Sequence, residues 1–167
     1  MKKYYTGKIL LSTLIMMIAA TFSLSAQPEA EKFAENFINA IKNENLSGVL
    51  TLAPNPRAIE IRWPEHTKGL TDKGIMEKFN ISGKLTAAYN NILSSAENSE
   101  IELEKIYFLS LRIESPWEDP TMPKSMTIRY EYCDTEAEFS VACIVIDEDY
   151  YLMDILLSMD VFEVLEN

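Results

Sequence analysis

The only histidine of the chain is the first residue that could serve catalysis, because an imidazole changes its charge near neutral pH. His66 stands in the polar stretch PEHTK, residues 64–68. As a general base it would act together with Glu65 or Asp72. The polar surroundings favour an ordinary loop histidine, and the sequence lacks the Gly-x-Ser-x-Gly motif of many serine hydrolases.

Asp154 is the second such residue, because it interrupts an apolar strand. After a three-residue turn at residues 147–149, Asp154 would lie beside Ala142 on the outer face of the sheet, with Arg129 close enough to approach it. After a two-residue turn the register slips by one residue, and Asp154 would face the core beside Cys143. A lone carboxylate there would be a candidate for catalysis. We expect the first register, because it buries four apolar side chains in a row. These are Tyr151, Met153, Ile155 and Leu157.

Four aromatic residues are candidates for binding or for the core. Trp63 and Trp117 each lie next to a proline, and rigidly held aromatic side chains can anchor a partner protein or a sugar. We favour the alternative, in which each folds back over an edge of the core. Tyr130 and Tyr132 alternate along a predicted strand, where they would form the sheet core or the wall of a pocket.

No metal or cofactor site is predicted. One histidine and two cysteines ten residues apart do not supply the ligands of a tetrahedral zinc site. The acidic turn at residues 147–149 lacks the ligand spacing of an EF-hand loop. Gly69 and Gly74 lie outside any glycine-rich motif that binds phosphate.

The N-terminus has the three parts of a secretory signal. Lys2, Lys3 and Lys8 precede an apolar run over residues 9–20, and SLSA at residues 23–26 is a small-residue cleavage site. The run is about 12 residues long, whereas a membrane-spanning helix needs ~20. Residues 1–26 are therefore predicted to be a signal peptide. The segment resembles those of exported Gram-negative proteins, which predicts a periplasmic or extracellular protein.

Composition restricts the classes of partner. The formal net charge is −11, and removal of residues 1–26 would leave 12 basic and 26 acidic groups. A surface with this much negative charge repels phosphate backbones and anionic lipids, which argues against nucleic acid or membrane partners. Residues 27–167 suit one globular domain, and 47% apolar residues suffice for a core.

Cys133 and Cys143 are expected to remain free thiols, although an exported protein meets oxidising conditions. The segments around them alternate apolar and polar side chains, which predicts two paired strands. A turn at residues 135–136 would place Tyr132 opposite Phe139. The two cysteines would then lie on opposite faces of the sheet, where no disulfide can form.

The first half of the chain reads as helical. Phe33, Phe37 and Ile41 recur every four residues between residues 28 and 42, which predicts an amphipathic helix. A short second helix should begin near Leu46.

The middle of the chain is punctuated by proline and glycine. Residues 53–74 read as irregular, with a brief strand at Ala58–Trp63. Asp72 and Ser82 are the expected N-caps of two further helices.

The second half reads as four strands, over residues 101–113, 125–133, 138–146 and 150–157. The third strand is apolar on both faces and should be central and covered on both sides. Short turns predict antiparallel neighbours. The fold class is therefore α+β, with N-terminal helices packed on one face of the sheet.

Two segments carry a resemblance to a known superfamily. EAEKFAENFINAIKNENLSGVLTLA, residues 29–53, resembles the opening helices of NTF2-like (cystatin-like, cone-shaped α+β) proteins. FSVACIVIDEDYYLMDI, residues 139–155, is similar to their last two strands, with the family's aromatic, apolar and acidic positions at Tyr151, Met153 and Asp154. The chain departs from the pattern by having Tyr where Trp is usual and no glycine in the turn. The resemblance implies a curved sheet around the long helix, with a pocket at the wide end.

Members of that superfamily include small isomerases, dehydratases and cyclases as well as binding and assembly modules, so the resemblance leaves function open. Our leading hypothesis is an exported binding or interaction module without a cofactor, holding a small apolar ligand or a partner protein. The alternative is an isomerase or hydro-lyase that uses Asp154 or His66 with Tyr130. A homodimer formed through the open sheet face is a third expectation.

Overall fold

The structure is a computed structural model, and it describes residues 28–115, 119, 121–156 and 162. In this part of the chain, six α-helices and one 3-10 turn precede a four-stranded antiparallel sheet that does not close. The predicted α+β class is therefore confirmed. The helices are α1 (Pro28–Lys42), α2 (Leu46–Thr51), α3 (Pro56–Arg62), α4 (Pro64–Thr67), α5 (Asp72–Phe79) and α6 (Ile81–Asn98). The strands are β1 (Tyr107–Glu114), β2 (Lys124–Tyr132), β3 (Thr135–Ile146) and β4 (Asp149–Leu156).

The predicted signal peptide lies outside the described residues. Among those that are described, no helix combines the length and apolar character needed to cross a bilayer.

Helix α1 has the predicted bounds, and its apolar stripe packs on the sheet. Phe33, Phe37 and Ile41 are buried, because residues four apart share one face of a helix. The ring of Phe37 meets Phe139 of β3 edge to face, with centroids 5.6 Å apart. The ring of Phe33 lies 6.0 Å from that of Tyr150 on β4. The helix therefore fixes the inner face of the sheet, which is the face that carries the core.

The predicted strand at Ala58–Trp63 is wrong, because these residues belong to helix α3 and its C-terminal cap. The side chain of Asn55 accepts a hydrogen bond from the Ala58 N–H at 2.9 Å. Pro56 follows at the first helical position, where a missing N–H costs nothing. The short apolar run favours a strand by its β-propensity, but the local N-cap stabilises a helix instead.

The two predicted N-caps are each displaced. Thr71, not Asp72, caps α5, since its hydroxyl accepts from the Gly74 N–H at 3.2 Å. Ser82 lies inside the first turn of α6, which begins after Asn80. Asn80 has a φ of +46° and joins α5 directly to α6. Asparagine adopts this left-handed conformation at lower cost than most other residues.

Strand β1 is shorter than predicted and contains an irregularity. Residues 103–105 form a 3-10 turn, so the strand begins only at Tyr107. The register with β2 shifts around Leu109. This bulge leaves Tyr107 and Leu109 exposed, whereas Leu111 and Ile113 are half-buried against the core. A bulge inserts one residue and so exchanges the faces on either side of it.

The β2–β3 turn lies two residues earlier than predicted. Cys133 and Asp134 form it, both with positive φ, the combination of a type I′ turn. Phe139 consequently pairs with Ile128 rather than Tyr132. Because the error is an even number of residues, every side chain keeps its predicted face. Cys133 is exposed at the turn and Cys143 is buried, so the two free thiols are confirmed.

Strand β3 is central, between β2 and β4, as predicted. Ile144 on its outer face is fully buried. The β4 edge is partly closed, since the Leu152 N–H donates to the Leu52 carbonyl at 2.7 Å.

Candidate functional site

Tyr130 lies on the inner face of the sheet, two residues before the end of β2. Its Cα partners are Phe108 on β1 and Ala137 on β3. The side chain is fully buried, and its ring stacks on Phe139 with centroids 4.7 Å apart and planes inclined by 23°. Strand periodicity places it there, because Met126, Ile128 and Tyr130 alternate onto one face.

The hydroxyl of Tyr130 is buried without a hydrogen-bond partner among the described residues. Burial raises the pKa of Tyr130 far above its ordinary value, and no charge contributes to that shift. The phenol therefore stays protonated at neutral pH and is able to donate one hydrogen bond. Leaving such a group unpaired in an apolar interior costs about 1–3 kcal/mol.

The ring of Tyr130 belongs to an aromatic cluster centred on Phe139. Phe139, on which Tyr130 stacks, makes edge-to-face contacts with Phe37 at 5.6 Å and with Phe162 at 6.3 Å. Phe162 follows β4 in the chain and is fully buried. In the part of the chain that the structure describes, a molecule that reached Tyr130 would therefore meet this aromatic cluster and the phenol donor.

Asp154 lies on the outer face, opposite Ala142, as predicted, but by a different route. The turn has two residues, Asp147 and Glu148, both with positive φ. The register then shifts between Ala142 and Cys143, and this bulge restores the pairing that a longer turn would have given. The predicted turn length is therefore wrong, and the placement of Asp154 is confirmed. The predicted inward face of Tyr151 is also wrong: before the bulge Tyr151 pairs with Ile144 on the outer face, and Leu152 is buried instead. Ile155 is buried as predicted, and Leu157 lies outside the described residues.

The predicted approach of Arg129 to Asp154 is wrong. On β2 the residue opposite Ala142 is Ser125, four positions from Arg129. Arg129 instead forms an exposed ion pair with Glu136. Asp154 Oδ1 accepts a hydrogen bond from the backbone N–H of its neighbour Ile155 at 2.9 Å.

The remaining predicted site residues lie apart from Tyr130. His66 is exposed in α4, and its carbonyl accepts a hydrogen bond from Lys78 Nζ at 2.7 Å. Trp63 is half-buried and stacks on Phe79 with centroids 5.3 Å apart, so it covers an edge of the core. Trp117 lies outside the described residues.

The three candidates for catalysis do not converge. Tyr130 faces the helices, Asp154 is on the opposite side of the sheet, and His66 is on the surface of the helical half. The sheet itself separates the acid from the phenol. Among the residues described, no three His, Cys, Asp or Glu side chains are grouped to hold a metal ion.

An open polar groove of about 550 Å³ lies between the end of α1 and the segment before β1. Lys42 crosses one side of it, with Nζ 3.9 Å from the centre of the Tyr107 ring and 3.3 Å from the Ile106 carbonyl oxygen. Nearby, the Tyr132 hydroxyl accepts a hydrogen bond from the Glu102 N–H at 3.4 Å. Sequence reasoning missed this groove because its walls come from segments about 60 residues apart. Its lining residues are Lys42, Asn43, Glu44, Ile101, Glu102, Leu103 and Glu104.

No protein-family model, curated protein or solved structure matches the chain. Function must therefore be inferred from the chemistry of its own residues.

Proposed function

We propose that this protein is a non-enzymatic binding module that holds a small, largely apolar molecule between α1 and the inner face of the sheet. The observation that carries the proposal is the hydroxyl of Tyr130, which is buried without a hydrogen-bond partner among the described residues. Buried polar groups in folded proteins nearly always have partners, so a lone one indicates that something else completes it. A bound acceptor would remove the cost of leaving it unpaired.

The proposal includes membership of the NTF2-like superfamily. A long amphipathic helix packed on an antiparallel four-stranded sheet supports it. In that superfamily the pocket lies between these same two layers. The cone shape and the family are therefore proposed together with the site.

The chemistry of the ligand follows from the surroundings of Tyr130. Burial alone raises the pKa of the phenol, with no contribution from a described charged group. A charged ligand would lose its hydration without gaining an ion pair. A neutral molecule with a carbonyl or ether oxygen and an apolar body fits best. The same isolation leaves the phenol without the acid or base that an isomerase or hydro-lyase would need.

Acetophenone and ethylbenzene form a matched pair of probes, because acetophenone has a carbonyl group where ethylbenzene has a methylene. Titration of the 15N-labelled protein by NMR should show acetophenone shifting amides of β2 and β3 around Tyr130. It should bind about tenfold more tightly than ethylbenzene, the value of one buried hydrogen bond. In Tyr130→Phe the preference for acetophenone should be lost or reversed, because its carbonyl would be buried without a donor, whereas Tyr132→Phe should keep the preference. Equal binding to the unaltered protein, or no shift with either probe, would overturn the proposal.

The proposed site of action is outside the cytoplasm, on the strength of residues 1–26. The full-length gene expressed in a Gram-negative host should yield a periplasmic protein whose mass is that of a chain beginning at Gln27. An intact Met1 in the cytoplasmic fraction would contradict export without affecting the binding proposal.

A further inference from the structure

The two edges of the sheet are treated differently by the rest of the chain. At β4 the Leu152 N–H is taken by the Leu52 carbonyl. At β1 the sheet ends, with no further strand paired to it among the described residues. A free strand edge presents a row of backbone donors and acceptors to any second strand.

Strand β1 exposes side chains as well as backbone. Tyr107 is 59% and Leu109 is 40% exposed. Beyond the bulge at Leu109, residues 110–114 pair with β2 without interruption, so this stretch is a regular edge. It carries one basic and one acidic side chain, Arg112 and Glu114, whose Nε and Oε1 are 3.1 Å apart. Both are more than half exposed.

We propose that β1 pairs antiparallel with β1 of a second copy of this chain, with Ile113 opposite its own symmetry mate. When a two-fold axis relates two antiparallel strands, the numbers of any two residues that face each other add up to the same even number. One residue therefore lies opposite the same residue of the second copy. Only a few registers are consistent with this rule. These registers differ in which charged side chains they bring opposite each other.

With Ile113 at the centre, Arg112 of each copy lies opposite Glu114 of the other, which forms two cross-strand ion pairs. With Arg112 or Glu114 at the centre, like charges face each other, which is unfavourable. With Leu111 at the centre no opposite charges meet. The same two charges discourage pairing with unrelated strands, which is how edge strands commonly limit aggregation.

The dimer would join two four-stranded sheets into one continuous sheet of eight strands. Arg112 and Glu114 lie on the outer face, whereas Tyr130 lies on the inner face. This inference therefore does not depend on the proposed ligand site, and either can fail without the other.

Charge reversal tests the contact. Sedimentation velocity of the purified protein over a concentration series should show a reversible monomer–dimer equilibrium. Arg112→Glu and Glu114→Arg should each weaken association by about tenfold, because two opposite pairs become like pairs. The double variant R112E/E114R should restore it. Arg129→Glu, on the same sheet face but away from the edge, is the matched control and should leave association unchanged.

Thermal unfolding of each variant separates a loss of stability from a loss of association, since Arg112 and Glu114 also pair within one strand. Disulfide trapping then tests the register, in a Cys133→Ser background that removes the exposed thiol. Ile113→Cys should give a cross-linked dimer with copper phenanthroline as oxidant, because facing Cα atoms in antiparallel strands lie within disulfide range. Leu111→Cys should not. A monomer at all concentrations, charge variants that behave like Arg129→Glu, or preferential linking through Leu111→Cys would each overturn the proposal.

Discussion

Tyr130 stacks on Phe139 across two neighbouring strands, with ring centroids 4.7 Å apart, and places its hydroxyl in the apolar interior without a partner among the described residues. The ring contributes apolar burial and stacking, which favour folding by several kcal/mol in sum. The hydroxyl opposes folding, because water solvates it in the unfolded chain. The hydroxyl oxygen that we propose contacts the ligand thus lowers the stability of the ligand-free protein.

Tyr130→Phe should raise the free energy of unfolding of the ligand-free protein by about 1 kcal/mol. The substitution keeps the stacked ring and removes only the unpaired oxygen. Urea denaturation followed by circular dichroism measures the change. Tyr132→Phe is the matched control, and it should be neutral or slightly destabilising because the Tyr132 hydroxyl accepts a hydrogen bond from Glu102. A loss of stability in Tyr130→Phe would show that the hydroxyl has a partner after all.

Phe37→Ala should destabilise the protein by about 3–5 kcal/mol. Phe37 is fully buried and joins α1 to the aromatic cluster on β3, so truncation leaves a cavity between the two layers. Chemical denaturation measures the loss. Asn36→Ala, at the adjacent exposed position of the same helix, should change stability by less than about 0.5 kcal/mol. Similar effects of the two substitutions would mean that α1 does not seal the core.

The layer architecture was accessible from the sequence because it depends on periodicity. Phe33, Phe37 and Ile41 specify a helical face, and the alternation around Tyr130 specifies a strand face. These two predicted faces are correct even where a turn is misplaced, since the β2–β3 turn differs from its predicted position by an even number of residues. Periodicity fixes which face a residue occupies more firmly than it fixes its partner.

Local backbone geometry was harder to predict. The turns at Cys133-Asp134 and Asp147-Glu148 use positive φ without glycine, so the usual sequence signal of a tight hairpin is missing. The bulges at Leu109 and after Ala142 leave no composition signal either.

The candidate site was predictable only in part. Tyr130 was identified as a core or pocket residue from strand alternation, but the absence of a partner for its hydroxyl is a property of the packed interior. The ion pair of Arg129 depended on register, and the register depended on turn length. Contacts between distant segments, such as Lys42 with Tyr107, have no local pattern at all.

Glu148→Gly should stabilise the protein by about 0.5–1 kcal/mol. Glu148 has a φ of +73° in the β3–β4 turn, where a side chain is strained and glycine is not. Thermal unfolding measures the gain. Glu138→Gly, in the middle of β3, should lower stability, because glycine weakens a strand. A destabilised Glu148→Gly would indicate that the turn does not need a positive φ.

Alkaline pH should destabilise the protein partly through Cys143. Burial, only partly opposed by nearby Lys124, raises the pKa of this thiol from 9.0 to about 12. The unfolded chain therefore releases the proton first as the pH rises. The stabilisation is complete below pH 9 and is lost progressively between pH 9 and 12, by at most about 1.4 kcal/mol per pH unit.

Cys143→Ala isolates this contribution, because the comparison uses the slope of stability against pH rather than its absolute value. Urea denaturation at several values between pH 8 and 11 should give a shallower decline for Cys143→Ala than for the unaltered protein. Buried tyrosines such as Tyr130 also have raised pKa values and add a decline of the same sign to both proteins. Cys133→Ala removes an exposed thiol and should leave the slope unchanged. Equal slopes in all three proteins would mean that Cys143 ionises as readily folded as unfolded, which its position on the inner face of β3 does not allow.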